Sequence, residues 1–500
     1  MKKRAKKGLN RKLNQQEIVF IIVVAMLVSF LTIWFISANF GDELNLSPRL
    51  FIGPPSSSVR VPGVTGIGAC PIGGCAPIGG SGALRWSWTP PSAVSFNTIS
   101  FGDSDLKIFS GSVGHLPSPF IFSADDTDPV NPLFSYSGSI LSSNKKTASA
   151  KNVASYVEYR QRGTYPNKIA SVRKYSPDLS SIEWERDFTG FSSSFPGGIA
   201  VSDDGNRIVA FSYGNPFGPL LMKVLDSQGN GYEVDLSAMD SLMGQLNGQN
   251  GEGYALSGDG SRVFVMSSLK WMILELGDTS VNLLGSCYAH NNIYYPRGSV
   301  AINYDGSRAV APYARGEPGH SYSYLGVFEE PFSSGVCWMG YNHEIQVPGD
   351  RISSSYGVAI SDDGTHAVYG ATGFGVGEDT NTNIISLSLS DISSPQFSYQ
   401  LLMNYFSPGD QGEKTNRVVK VSMTPDGERF VAGLWGDLSH FSPEIMVFDK
   451  GQSSPADIFS TPGSIADLEI SDDGTQFTAS VYHRHASQGV HTDSLRVYDI

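Results

Sequence analysis

His483-Arg484-His485, followed by His491 and Asp493, is the densest run of metal-capable side chains in the sequence. Imidazole and carboxylate are ordinary transition-metal ligands, and residues separated by one in an extended chain point the same way. Histidines in a polar loop are more often solvated than ligating, so no metal and no other cofactor is expected. Residues 125–131, DDTDPVN, are dense in oxygen donors but lack the glycine-spaced pattern of an EF-hand loop; an Asx-rich turn is expected there. With no G-x-S-x-G elbow, H-E-x-x-H helix or phosphate loop present, no residue is assigned a catalytic role. Any site must be assembled by the fold from distant positions.

The assembling element is a repeat. Six near-copies of one phrase run through the second half: IAVSDDGNRIVAFSYG, YALSGDGSRVFVMSS, VAINYDGSRAVAPYA, VAISDDGTHAVYGAT, VSMTPDGERFVAGLW and LEISDDGTQFTASVY. Each is an alternating strand, an Asp-Gly turn and a second alternating strand, recurring about every fifty residues, which is the signature of a β-propeller. Two degenerate copies precede them, with Asp105 and Lys145 at the glycine position. Successive spacings of 40, 60, 55, 46, 58, 63 and 47 residues leave room for two more strands per unit, and four strands make one blade. The expectation is an all-β propeller of eight four-stranded blades, or seven if the degenerate copies merge. The last unit shows only three strands, and residues 84–88, LRWSW, form a spare strand before the first blade. That strand is expected to complete blade eight and close the ring, because an open ring would leave unpaired edges.

The A-h-S-x-D-G-x-R-h-h wording over residues 84–500 resembles the WD40-like repeats of TolB-type propellers and the YVTN family of surface-protein repeats. The resemblance implies a fold; the families it points to include binding platforms and surface components, and related propellers include enzymes. The Trp-Asp dipeptide of intracellular WD40 blades is absent, as are the tryptophan-docking repeats of quinoproteins.

In a propeller the Asp-Gly turns occupy one face and the longer connections the other. Eight of nine histidines are expected on the second face, and only His366 beside an Asp-Gly turn. The predicted ligand-binding set there is His290, Tyr295, Arg297, Arg315, His320, His343, Arg351, Arg417, Trp435, His440, His483, His485, His491 and Asp493. Aromatic and Arg side chains with adaptable polar neighbours suit a protein or glycan ligand. Polar loops with no ligand are the plainer reading of the same residues.

Seven Lys or Arg residues in the first 12 precede an apolar run from residue 18 that continues to residue 40. It is long enough to cross ~30 Å of hydrocarbon as a helix, with the basic flank on the cytoplasmic side. A cleaved signal is the rival reading. The expected organisation is a basic tail (1–17), a transmembrane helix (18–40), a Gly/Pro/Ser-rich tether (41–83) and an extracytoplasmic propeller (84–500) on the cell surface. Outside a membrane, Cys70 and Cys75 are expected to pair, whereas Cys287 and Cys337 fit free thiols and a disulfide equally. Beyond residue 40 the formal charge is −19, which argues against nucleic acid as a partner. The expected function is a membrane-tethered binding or scaffold module; a tethered hydrolase or lyase with its centre at the channel mouth is the alternative.

Overall fold

The computed structural model describes residues 82–89, 94–114, 119–126, 132–136, 145–162, 169–189, 193–195, 197–214, 220–240, 243, 253–267, 270–288, 299–317, 320–332, 335–336, 341–345, 351–352, 357–374, 380–390, 395–403, 418–436, 443–482 and 492–500. The chain divides into two units, Met1–Ala69 and Cys70–Ile500. The first lies wholly outside the described residues, as do Cys70, Cys75 and the whole apolar run at 18–40. Among the described residues no helix is long and apolar enough to cross a membrane.

The described residues of the second unit form eight sheets, antiparallel but for one short pairing in blade 4. Their innermost strands are, in blade order, Val94–Gly102, Lys145–Ser149, Ile199–Val201, Tyr254–Leu256, Ala301–Ile302, Val358–Ile360, Val418–Met423 and Ile465–Ile470. Each packs against the next, and the eighth packs against the first, so the ring is closed. The apolar runs in the repeat follow from this arrangement. In the strand Arg207–Gly214, Ile208 and Ala210 point into the cluster shared with blade 2, while Val209 and Phe211 point into the cluster shared with blade 4. Alternate residues thus serve two cores, and both sides of the strand must be apolar. The described hydrophobic clusters number eight, one at each junction between blades.

The spare N-terminal strand closes the ring as expected. Ala83–Trp88 pairs antiparallel with Thr492–Asp499 and is the outermost strand of blade 8. Trp86 and Trp88 turn inward onto Phe122 of blade 1, at ring separations of 5.7 and 5.0 Å. Eight blades are therefore present, and the seven-bladed alternative is excluded.

One register is corrected. Lys145 does not occupy the glycine position of a turn; it opens the inner strand of blade 2. The turn falls at residues 150–155, where Ala150 N–H donates to Ser155 O as Ser202 N–H does to Arg207 O. With no Asp-Gly pair, nothing in the sequence marked that turn. Asp105 does occupy its expected place, with φ of +64° in the left-handed region where Gly205 has +73°.

Cys287 lies on Val281–Tyr288 of blade 4 and is disulfide-bonded. Beside it, Gly335–Val336 from the chain of blade 5 pairs parallel with Cys287 and Tyr288, adding a fifth strand to blade 4.

Candidate functional site

The repeat's hydrogen bonds separate turn residues from the rest. In blade 3 the Ser202 hydroxyl donates to Asp204 (2.6 Å) and accepts from Arg207 N–H (2.9 Å), while Asp204 also accepts from Asn206 N–H (2.9 Å). The same arrangement recurs around Asp259, Asp363, Asp426 and Asp473, with Asn303 replacing the hydroxyl at Asp305. Burial pulls the Asp204, Asp305, Asp363 and Asp473 carboxyls upward, but the donors outweigh it and hold each below its ordinary value; at Asp426 the Thr424 hydroxyl is the largest influence. These aspartates build turns. The repeat arginine also has a structural role: Arg308 and Arg429 each donate to the turn-glycine carbonyl of the next blade, Gly364 (2.7 Å) and Gly474 (3.0 Å).

The residue before the turn aspartate behaves differently. It is Asp203 in blade 3, Asp362 in blade 6 and Asp472 in blade 8, and the degenerate blade 2 places Lys151 there. Lys151 Nζ lies 3.3 Å from Asp472 Oδ1. Burial would lower its pKa, but the charges of Asp472, Asp203, Asp362 and Glu469 outweigh that and raise it. Blade 6 stands opposite blade 2 in an eight-membered ring, so these groups share one field only by converging on the channel axis. Burial, offset in part by Lys151, lifts Asp203 to about 6 and Glu469 to about 8, and raises Asp362. An ammonium ion surrounded by carboxylates therefore occupies the mouth at the Asp-Gly end.

Backbone bonds reinforce this end. Ser104 N–H donates to Lys151 O (2.6 Å), Asn152 to Asp203 (2.9 Å), Asp203 to Gly258 (2.9 Å), Asp259 to Tyr304 (3.0 Å), Tyr304 to Asp362 (3.1 Å) and Asp362 to Pro425 (2.8 Å). The series links blades 1 through 7. At blade 7 the channel position is Pro425, which has no N–H to donate onward.

Six of the fourteen residues singled out from sequence lie among the described residues. Arg315 and His320 lie at the tip of the hairpin formed by Arg308–Glu317 and His320–Glu329, Arg315 being paired with Tyr322. His343 is on the outer strand Tyr341–Ile345 opposite Ser323. Arg351, on Arg351–Ile352, pairs with Phe374, and its strand lies against both strands of that hairpin. The backbone thus sets the strand of Arg351 beside the hairpin that carries Arg315 and His320. Trp435, half-buried, has its ring 5.8 Å from Tyr482 of blade 8, and Asp493 follows Thr492, the pairing partner of Tyr482. His290, Tyr295, Arg297, Arg417, His440, His483, His485 and His491 lie outside the described residues. His366 is buried beside the Gly427 turn, on the Asp-Gly side as expected. Among the described residues no three His, Cys, Asp or Glu side chains are placed to hold a metal ion.

Sequence reasoning missed the axial cluster. A signal for it was available: one aspartate suffices for the turn, yet three of the six copies read SDDG, and the surplus carboxylate is the axial one.

Fold and site together define the class, an eight-bladed β-propeller with a charge-filled channel mouth. No family model and no curated protein matches the chain. Among solved structures it is similar to Kuenenia stuttgartiensis hydrazine synthase at 14% identity, covering 78% of this chain and 93% of that one, TM-score 0.41. It is similar also to Chaetomium thermophilum Sqt1, crystallised with the N-terminus of ribosomal protein L10, at 12% identity over 83% and 99% of the chains, TM-score 0.47. A second Sqt1 structure gives 13% identity over 66% and 76%, TM-score 0.42. At such identities the likeness is one of fold.

Proposed function

We propose that this protein is a WD40-like propeller, tethered to a membrane and facing the extracytoplasmic side, that binds a protein or glycan partner through the end of the ring opposite the Asp-Gly turns. One observation carries the choice of end. At the Asp-Gly end the polar groups are committed to one another, in the turns, in the backbone links between blades and in the Lys151 cluster. Connections from the second to the third strand of each blade, and from each blade to the next, leave at the other end, and they hold most of the His, Tyr and Arg residues named above. A rigid scaffold carrying variable loops at one end is the usual arrangement of a recognition surface.

The membrane part of the reading rests on the basic flank and apolar run at residues 1–40. The disulfide at Cys287 fits an oxidising compartment. Cys337 directly follows the strand paired beside it and is the partner assigned here.

The test compares two sets of substitutions in the full chain on intact cells, read by glycan-array binding and by cross-linking to neighbouring surface proteins. Alanine at Arg315, His320 and Arg351 should weaken capture, while alanine at Asp204 or Asp363 should leave it. The reverse pattern would move the site to the Asp-Gly end. Protease added outside should digest the propeller, and protection of a C-terminal tag would reverse the topology.

A further inference from the structure

The junction between blades 1 and 2 has the smallest of the eight hydrophobic clusters, made of Phe109, Ile121, Tyr156, Tyr175 and Leu179. The reason lies in the strand Tyr156–Arg162, which changes character halfway along. At the corresponding position blades 3 to 8 present Ala210, Val265, Ala311, Tyr369, Ala432 and Ala479 to the blade before. Blade 2 presents Glu158, 1% exposed. Arg160, two residues on and so on the same face of the strand, is 8% exposed. Most of this charged layer is matched internally. Glu158 Oε2 accepts from the Tyr175 hydroxyl (2.5 Å), Arg173 lies 2.9 Å from Glu185, and the Ser171 hydroxyl donates to Glu185 (2.9 Å). Arg160 is the exception. Glu185 feels its charge, but Arg160 Nε is buried with no hydrogen-bond partner. An N–H buried without an acceptor loses its hydration for nothing in exchange, and the cost is larger on a cation.

We propose that Arg160 anchors a small oxyanion (sulfate, phosphate or a carboxylate) held between blades 1 and 2 and entered from the end opposite the Asp-Gly turns. Water or an anion would satisfy a single N–H, and two features favour the anion. Basic positions gather at this end of the blade: Lys145 is the cross-strand partner of Arg160, and Arg162 follows it on the same strand, against Asp187 across from Ser171. The carboxylates nearest to Arg160, Glu158 and Glu185, already accept from Tyr175, Ser171 and Arg173. The guanidinium is also a planar fork of donors, which fits two oxygens of one anion better than it fits a water molecule. The bound ion completes the bonding of Arg160 and fills out the polar half of a junction whose apolar half is short. Its effect is on the stability of the ring, whatever partner the loops bind.

The test uses the full chain and compares the wild type with Arg160→Gln and Arg160→Lys by thermal unfolding, in sodium sulfate and in sodium chloride of equal ionic strength. The variants are needed because sulfate also stabilises proteins in general by exclusion from their surface. Sulfate at several times its dissociation constant should raise the wild-type Tm by about 1–2 °C more than that of Arg160→Gln. Arg160→Lys, which keeps the charge and loses the fork, should fall between them. Equal sulfate responses in all three would overturn the proposal. Wild-type crystals soaked in selenate give a second reading that depends on no variant. An anomalous peak within hydrogen-bonding distance of Arg160 Nε is expected, and an ordered water in that place, with no selenate, would overturn the site.

Discussion

Lys151 Nζ lies 3.3 Å from Asp472 Oδ1, a contact that joins blade 2 to blade 8 past the blade between them. It belongs to the ring as a whole, because neither blade could position its partner without closure of the other six. Replacing Lys151 with Met should leave Asp472, Asp203, Asp362 and Glu469 without their shared counter-charge. The ammonium keeps some solvent contact, so the loss is expected at the low end for a broken pair, about 1–2 kcal/mol at pH 8. At pH 5 it should shrink, since Asp203 and Glu469, raised to about 6 and 8, are then largely protonated. Urea unfolding at the two pH values checks both statements.

The turn aspartates carry the opposite pH dependence. Asp204, Asp363 and Asp473 are held below their ordinary values, so their contribution is present at neutral pH and lost as pH falls through the folded value, below about 4. Asp363→Ala should cost about 1 kcal/mol at pH 7 and flatten the acid limb of the stability curve. The axial carboxylates, raised in the folded state, lose stability from about pH 4 upward, so the two sets together place maximal stability near pH 4.

Trp86 ties the closing strand to the first blade through Phe122. Trp86→Ala should lower stability by about 3–5 kcal/mol. Protease cleavage should rise first at residues 82–89, because the closing strand depends on this burial for its hold. Equal protection of that segment in the variant, by mass spectrometry of the digest, would contradict the role assigned to it.

Peptide mapping without reductant should join the Cys287 peptide to that containing Cys337. Cys287→Ser should lower stability by about 2–4 kcal/mol, and the loss should match that produced by reducing the wild type. A Cys287 peptide joined to Cys70 or Cys75 would replace this pairing.

Blade count, strand order within a blade and the closing strand were legible in the sequence because they rest on local chemistry. Asp-Gly turns recur, strand alternation is visible within a few residues, and LRWSW stands outside any blade of its own. The blade 2 turn was not legible, since residues 150–155 form it without glycine and without a positive φ. Nor could adjacent carboxylates be told apart by type. Asp203 and Asp204 are neighbours in one turn, yet Asp204 bonds Ser202 while Asp203 faces Lys151 from another blade. Local hydrogen bonding decides the first and can be read from spacing; ring closure decides the second, because only the completed circle brings Lys151, Asp362 and Asp472, far apart in the chain, into one shared field at the channel mouth.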